Sequence, residues 1–153
     1  MILGVHSATF VKNWHEDVKP YIHLCKKAGY KSVEVSLLGQ TPSSAKEIAK
    51  LANDLNISIT CTTGLSNEED ISSSDPVIQQ NGVDALKRAI DMTAIMQAKL
   101  LTGVVHAAWG ISNSMGKDKE GKFQNSSHSI KKITSFLSEK NIKLGIEPLN
   151  RYE

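Results

Sequence analysis

The sequence has 153 residues, of which 40% are hydrophobic and 22% are charged, a composition that is typical of one folded domain and excludes a disordered chain. The 18 basic and 16 acidic side chains are mixed along the whole sequence and leave a formal net charge of +2. Because no basic block could follow a phosphate backbone, nucleic acid is not expected as a partner.

Short β-branched runs alternate with longer stretches whose apolar residues recur three and four positions apart, which predicts strands alternating with helices. Pro20 and Pro42 fall in first helical turns, where a missing N–H costs nothing, and Gly29 is placed to end a helix. The first elements predicted are a strand at Ile2–His6, a helix near Asp17–Ala28, a strand at Ser32–Ser36, a helix from Thr41 as N-cap to Leu55, and a strand at Ile57–Thr62.

A polar, acidic loop then runs from Gly64 to about Ser74, and Asp75-Pro76 opens a helix that continues to Ala98. A fourth strand is predicted at Leu100–Val105, a fourth helix at Ser127–Lys140 and a fifth strand at Lys143–Glu147. Between strand four and helix four lies a long loop through Gly110, Gly116 and Gly121, whose length predicts a functional or mobile segment.

Five strands alternating with four helices predict a parallel α/β sheet, either doubly wound or closed into a barrel. No G-x-G-x-x-G follows the first strand, so the dinucleotide fingerprint of the doubly wound class is absent. Polar residues stand instead at the strand ends, as in a (β/α)8 barrel: His6, Glu34, Ser36, Thr62, Thr63, His106 and Glu147. On this interpretation the apolar strand residues are expected to face the barrel interior: Val5, Val33, Val35, Ile59, Val104 and Ile146.

Cys25 on a helix and Cys61 in a strand form neither a CxxC pair nor a disulfide framework and are predicted to be reduced packing residues. The residues after Met1 lack the basic and apolar regions of a signal peptide, and no apolar run approaches the ~18 residues of a membrane span. A cytoplasmic protein without a membrane partner is expected.

The stretch with the most chemical information is Gly145-Ile-Glu-Pro-Leu-Asn-Arg-Tyr-Glu153, in which an apolar strand runs into Glu147. A carboxylate at the end of a buried strand is costly unless it meets a metal ion or fixed donors, and its oxygens suit Mg²⁺ or Mn²⁺. From the residues alone, a metal ligand and a carboxylate paired with Arg151 both remain open.

The string Glu147-Pro-Leu-Asn-Arg-Tyr-Glu153 resembles the E-x-x-N-R-[FY]-E signature of the tagatose and psicose (allulose) 3-epimerases, a family of the xylose-isomerase-like sugar isomerases. Hydroxypyruvate isomerases and abasic-site endonucleases share the barrel but carry different strand-five strings. Four further matches extend the resemblance from strand one to the last residue: Trp14, Cys61-Thr-Thr-Gly-Leu65, Ser73-Ser-Asp-Pro76 with Gly82, and His106-Ala-Ala-Trp109.

The resemblance implies that Glu147 is a ligand to a divalent metal (Mn²⁺, Mg²⁺ or Co²⁺) and one of two carboxylates that exchange the proton at carbon 3 of a ketose such as fructose, psicose, tagatose or sorbose. Such a carboxylate removes the proton while the metal stabilises the enediolate, and a second carboxylate returns a proton on the opposite face. Glu153 is implied to bind substrate hydroxyls, with Asn150 and Arg151 supporting the site.

The family's other metal ligands lie on strands six, seven and eight, beyond residue 153. We therefore expect the chain to be the amino-terminal part of a single barrel domain, covering strands 1 to 5 and helices 1 to 4, and to be inactive without the remainder. His6 also departs from the family, which commonly has an aromatic residue there, and this puts the substrate subtype in question.

The other strand-end residues carry two interpretations each. Glu34 is a candidate to support the site or a salt-bridged rim residue, and His6 and His106 are candidate hydroxyl ligands in one shared mouth or hydrogen-bonded rim histidines. Trp14 and Trp109 are predicted to cover the apolar side of a sugar or close the site against water, with loop packing as the alternative. The lysines of the long loop, Lys117, Lys119 and Lys122, are an alternative phosphate contact.

Three alternatives to a homo-oligomeric ketose 3-epimerase therefore stay open within the barrel: a sugar-phosphate epimerase, a hydroxypyruvate isomerase and an inosose dehydratase. A fourth belongs to another class, a non-catalytic half-barrel that binds sugar or serves as a scaffold.

Overall fold

A computed structural model describes residues 2–110 and 118–149. The five strands form one parallel sheet in the order β1-β2-β3-β4-β5, with each strand paired to its neighbour in sequence. A doubly wound sheet reverses its strand order at a switch point, whereas sequential order belongs to a barrel wall. The strands are β1 (Gly4–His6), β2 (Ser32–Ser36), β3 (Ser58–Leu65), β4 (Leu100–Ala108) and β5 (Lys143–Leu144).

The α-helices begin and end close to the predicted positions, except the fourth. They are α1 (Lys19–Lys27), α2 (Pro42–Asp54), α3 (Pro76–Ile95), α4 (Lys119–Lys131) and α5 (Thr134–Glu139). Thr41 forms a capping box with Ser44, and the Asp75 carboxylate caps α3 by accepting from the Val77 N–H at 2.8 Å.

The predicted fourth helix was wrong at its start and in its continuity. It begins eight residues earlier, at Lys119, where Asp118 caps it through the Gly121 N–H, and it is interrupted near Ile133 to give α4 and α5. Gly121 is therefore helical and not part of a loop, while residues 111–117, including Gly116 and Lys117, lie outside the described residues.

Four of the helices end in the same turn. In each, a residue with positive φ follows the C-cap, and the next N–H bonds back five residues, the Schellman pattern that lets the chain leave the helix and enter a strand. The positive-φ residues are Gly29, Asn56, Gln97 and Asn141, at φ of 92°, 49°, 58° and 52°.

The predicted direction was wrong for four of the six apolar strand residues. Val33, Val35 and Ile59 are buried against the helices, where they share one core with residues such as Ile22, Ile48, Leu86 and Ile90. Val5 packs against that same core, and Ile146 is 51% exposed beside α4. Of the six named residues, Val104 and Ile146 line the cavities of the inner side.

The inner face of the sheet is instead polar, with Glu34, Thr62 and Thr102 along one open cavity. This arrangement leaves the inner face suited to a hydrophilic ligand.

Cys25 and Cys61 are both buried and free, which confirms their predicted packing role. Among the described helices, none is long and apolar enough to cross a membrane.

Candidate functional site

Glu147 stands at the carboxyl-terminal edge of the sheet, three residues beyond β5. The β4–β5 ladder continues past the assigned strand, because the Gly145 N–H donates to the Leu101 carbonyl at 2.8 Å and the Glu147 N–H donates to the Gly103 carbonyl at 3.0 Å. The backbone of Glu147 is thus fixed by β4, and its side chain is presented to the inner face, where catalytic residues of barrels gather.

Two adjoining cavities share Glu147 and His6. The inner one, about 440 Å³, is bounded by Glu34, Thr62, Thr102, Gly145 and Ile146. The outer one, about 190 Å³, is bounded by Trp14 and Trp109 together with Ser36, Leu38, Thr62, Thr63, Gly64, Val104 and Leu149. We call the pair the lumen site. It combines two carboxylates, an imidazole, several hydroxyls and two indoles, a set that suits a polyhydroxylated ligand with an apolar face.

Glu34 is tied into this site by the neighbouring strands. Thr102 donates from Oγ1 to Glu34 Oε1 at 2.5 Å, and the same hydroxyl lies 3.2 Å from the Cys61 carbonyl. The bond crosses β3, since Glu34 is on β2 and Thr102 on β4, and it fixes the carboxylate within the inner cavity. A salt bridge of Glu34 to a basic residue is not found among the described residues.

The two tryptophans converge on the lumen site from different loops. Trp14 meets His6 edge to face, with ring centroids 6.4 Å apart. The backbone N–H of Trp109 donates to the Leu65 carbonyl at 2.8 Å, and the Trp109 side chain lies next to Gly64. Both indoles are partly exposed, so both are available to a ligand.

The structure does not bring His106 together with His6. The β3–β4 register jumps from Gly64↔Val104 to Leu65↔Ala108, so β4 carries three extra residues that bulge from the ladder. His106 lies in this bulge and lines a separate cavity of about 750 Å³ beside α4, where its Nδ1 is buried without a hydrogen-bond partner. The expectation of one shared mouth for the two histidines was therefore wrong, and a substrate role for His106 stays a prediction.

Just before this bulge lies Gly103, a residue that the sequence analysis did not single out. Its φ is +119°, and a Cβ there would lie 2.0 Å from the Thr63 carbonyl oxygen. Gly103 therefore lets β3 and β4 approach each other at the point where its own carbonyl holds Glu147. A glycine inside a predicted strand often marks a bulge or a close approach of two backbones, and this feature of the sequence could have identified Gly103.

Some of the remaining predicted residues lie outside the described ranges, and two lysines line another cavity. Asn150, Arg151 and Glu153 lie outside the described ranges, so the pairing of Glu147 with Arg151 stays untested. Lys119 and Lys122 line the separate cavity beside α4 together with His106, and not the lumen site.

The cysteine nearest the site points away from it. Burial raises the pKa of the Cys61 thiol to about 12, and the Glu34 carboxylate adds to this increase. A neutral, buried thiol of this kind is not a nucleophile at neutral pH.

Comparison with known proteins gives a consistent result. The chain is 23% identical over its whole length to the D-psicose 3-epimerase of Enterocloster bolteae, and 27% identical, over 98% of its length, to the D-psicose 3-epimerase of Ruminiclostridium cellulolyticum. It spans 52% of the length of each of these two relatives. It also superposes on a crystal structure of D-psicose 3-epimerase in the presence of D-fructose with a TM-score of 0.92 and 28% identity, covering 100% of this chain and 54% of the other.

These similarities confirm the resemblance predicted from the strand-end motifs. Residues 22–153, the large majority of the chain, match the sequence profile of the xylose isomerase-like TIM barrel. The protein therefore belongs to the xylose isomerase-like TIM barrel family.

Proposed function

We propose that this chain is the amino-terminal part of a single-domain (β/α)8 barrel isomerase that epimerises a ketose at carbon 3. The observation that carries the proposal is the Glu147 carboxylate, presented by β4 and β5 to a polar lumen between two tryptophans. Support comes from the relatives named above, which are ketose 3-epimerases.

In the proposed reaction Glu147 takes the proton from carbon 3, and the bonding electrons move into a carbon 2–carbon 3 double bond as the carbonyl oxygen becomes anionic. Return of a proton to the opposite face of carbon 3 gives the epimer, and this step needs a second acid outside the described residues. The hydroxyls of Thr62 and Thr102 and the His6 imidazole are proposed to bind substrate hydroxyls, with Trp14 and Trp109 against its apolar side.

The described residues do not by themselves form a complete metal site. Residues 2–110 and 118–149 hold no cluster of three or more His, Cys, Asp or Glu side chains that could bind an ion. Glu147 is the one ligand that we propose from this chain, and the others would come from further strands of the barrel. We therefore propose metal dependence only for the complete barrel.

The charges around the lumen site favour an unphosphorylated ketose over a sugar phosphate. Its described lining residues include Glu34 and Glu147 but neither Lys nor Arg. A phosphate group in such a site would meet two carboxylates without a compensating cation. Since Lys119 and Lys122 line the other cavity, they support no phosphate contact here.

The test compares two products of the gene, the 153-residue chain and a version that includes the coding sequence after codon 153. Each is assayed for conversion of D-fructose to D-psicose, and of free and phosphorylated ketoses in general, with Mn²⁺, Mg²⁺ or Co²⁺ and after treatment with EDTA. We expect turnover of free ketoses by the longer product with metal, and none by the chain alone. Absence of epimerase or isomerase activity on every sugar would overturn the proposal.

Glu147→Gln in the active protein removes the proton acceptor at nearly constant volume and is expected to lower kcat roughly a hundredfold or more. Glu139→Gln is the matched control, because Glu139 is exposed on α5 and the same chemical change there should leave kcat unchanged. Circular dichroism checks that both variants are folded. A Glu147→Gln enzyme that keeps more than about a tenth of its activity would contradict the assignment.

Cytoplasmic location and homo-oligomeric assembly stay predictions from the sequence. Size-exclusion chromatography with light scattering tests the second, and ketose binding without turnover in both products would favour the non-catalytic alternative.

A further inference from the structure

The segment between β1 and α1, residues 7–18, holds Trp14 over the lumen site, and we call it the Trp14 loop. Its beginning is fixed by His6, whose Nδ1 accepts from the Ala8 N–H at 2.8 Å. Its end is fixed by Glu16, whose carboxylate accepts from the Tyr21 hydroxyl at 2.6 Å and from the Lys12 N–H at 2.8 Å. These two bonds, with the Tyr21 bond the stronger cause, hold the pKa of Glu16 below its ordinary value. The loop is thus anchored at both ends, with Trp14 between the anchors.

Between the anchors the Trp14 loop rests on the backbone of Gly39, in the connection from β2 to α2. A Cβ on Gly39 would lie 2.5 Å from the Trp14 carbonyl oxygen and 2.8 Å from His15 Nδ1. Side-chain carbons do not approach backbone oxygens this closely, so the two loops can meet here only at a glycine. The Gly39 φ of +76° also favours glycine.

The loop that carries Gly39 is the more rigid partner in this contact. It spans only residues 37–41, between β2 and the capping box of α2. Within it the Gln40 N–H donates to the Leu37 carbonyl at 3.1 Å and the Leu38 N–H to Ser36 Oγ at 3.3 Å. A short loop held at both ends moves less than one of 12 residues, so an added side-chain carbon at position 39 should displace the Trp14 loop.

We infer that Gly39 is a positioning residue that sets the place of the Trp14 indole over the lumen site. Leu38, its neighbour, lines the same cavity as Trp14, so the contact fixes two walls of that cavity relative to each other. The effect of Gly39 on substrate binding rests on the proposed function. The position of Trp14 itself can be measured without any activity.

The protein has two tryptophans, and both line the lumen site. In a Trp109→Phe background Trp14 is the single tryptophan. With excitation selective for tryptophan, its emission maximum and acrylamide quenching report its exposure. Gly39→Ala is expected to shift the Trp14 emission to longer wavelength and to increase the quenching constant. In the reciprocal Trp14→Phe background, Gly39→Ala should leave the emission maximum and the quenching constant of Trp109 unchanged.

Gly29→Ala provides the matched control. Gly29 also has a positive φ, +92°, but a Cβ there would meet nothing within 4 Å. It therefore carries the conformational penalty of alanine at positive φ without a new contact, and it should leave Trp14 emission unchanged. Equal Trp14 spectra for Gly39→Ala and Gly29→Ala would overturn the inference.

If Gly39→Ala does not fold, Gly39→Asn provides the same test. Asparagine tolerates positive φ better than alanine, so it adds the same Cβ with less backbone strain, and the same red shift is expected. In the active protein Gly39→Ala should raise KM for the ketose more than it lowers kcat, because Trp14 contacts the substrate body and Glu147 the reacting carbon. Unchanged KM together with unchanged Trp14 emission would also refute the positioning role.

Discussion

Gly82 offers a sharp test of the packing between α3 and the segment that follows β3. It lies inside α3 and is buried, and a Cβ at this position would stand 2.2 Å from the Glu69 carbonyl oxygen and 2.6 Å from Ile71 Cγ2. Glycine to alanine inside a helix ordinarily stabilises by about 1 kcal/mol. Here alanine should destabilise the protein, because the added Cβ would meet backbone atoms of Glu69 and not the flexible end of a side chain.

The magnitude follows from the distance. Ordinary contact begins at 3.4 Å, so the Glu69 carbonyl must retreat by about 1.2 Å. Overpacking of this kind costs about 1–3 kcal/mol. The displaced segment also carries Asp70, whose Oδ1 accepts from the Ser72 N–H at 2.8 Å and the Ala108 N–H at 3.2 Å, and losing one such bond adds roughly 1 kcal/mol. After the helix-propensity gain is subtracted, Gly82→Ala should lower the free energy of unfolding by about 2 kcal/mol.

Urea unfolding followed by circular dichroism measures this loss, and Gly121→Ala is the control. Gly121 is helical too, but its Cβ would meet only the Asp118 carboxylate. Moving that carboxylate loses the N-cap bond to the Gly121 N–H, a cost of about 1 kcal/mol that the helix propensity of alanine offsets. That variant should stay within about 0.5 kcal/mol of the parent. A Gly82→Ala protein as stable as the parent would refute the steric reasoning.

Two further outcomes concern the sheet itself. Thr102→Val removes the hydroxyl that donates to Glu34 and should lower the free energy of unfolding by about 1 kcal/mol, whereas Thr102→Ser keeps a hydroxyl and should retain most of that stability. A double-mutant cycle with Glu34→Gln, measured by urea unfolding, should show that the two side chains are coupled. Burial raises the pKa of Cys61 from 9.0 to about 12, so the folded protein keeps a proton that the unfolded chain loses above pH 9. Stability contributed by the neutral thiol is therefore complete below pH 9 and declines as pH rises toward 12, by up to about 1.4 kcal/mol per pH unit. Cys61→Ala should show a smaller decline over the same range, and identical pH profiles would contradict the assignment.

Helix boundaries were predictable where a cap and a proline coincide. Thr41-Pro42 and Asp75-Pro76 each combine a side-chain acceptor with a fixed φ, and both begin helices as predicted. The start of α4 was missed because Lys119–Asn125 has one large apolar residue, Phe123, which is 64% exposed. Without an apolar stripe, periodicity carries no signal.

The faces of the strands were harder to predict. In β2 the run Ser32-Val-Glu-Val-Ser36 alternates clearly, but alternation shows only that the two faces differ, not which one meets the helices. The helices supply the apolar cover, so Val33 and Val35 face outward and Glu34 faces the lumen. The bulge in β4, and with it the direction of His106, depends on the pairing of β3 with β4 and has no local pattern of its own.

The repeated turn at the ends of four helices makes the β-α units of this chain interchangeable in principle. Each turn leaves its helix with the same backbone geometry and delivers the chain to the same edge of the sheet, at the end opposite the lumen site. A crossover placed at Asn56 or Asn141 would therefore join segments from two related barrels without disturbing a strand or a residue of the lumen site. Shuffled libraries cut at these positions would exchange whole strands together with the mouth residues that follow them, while keeping the turn through which each strand is entered.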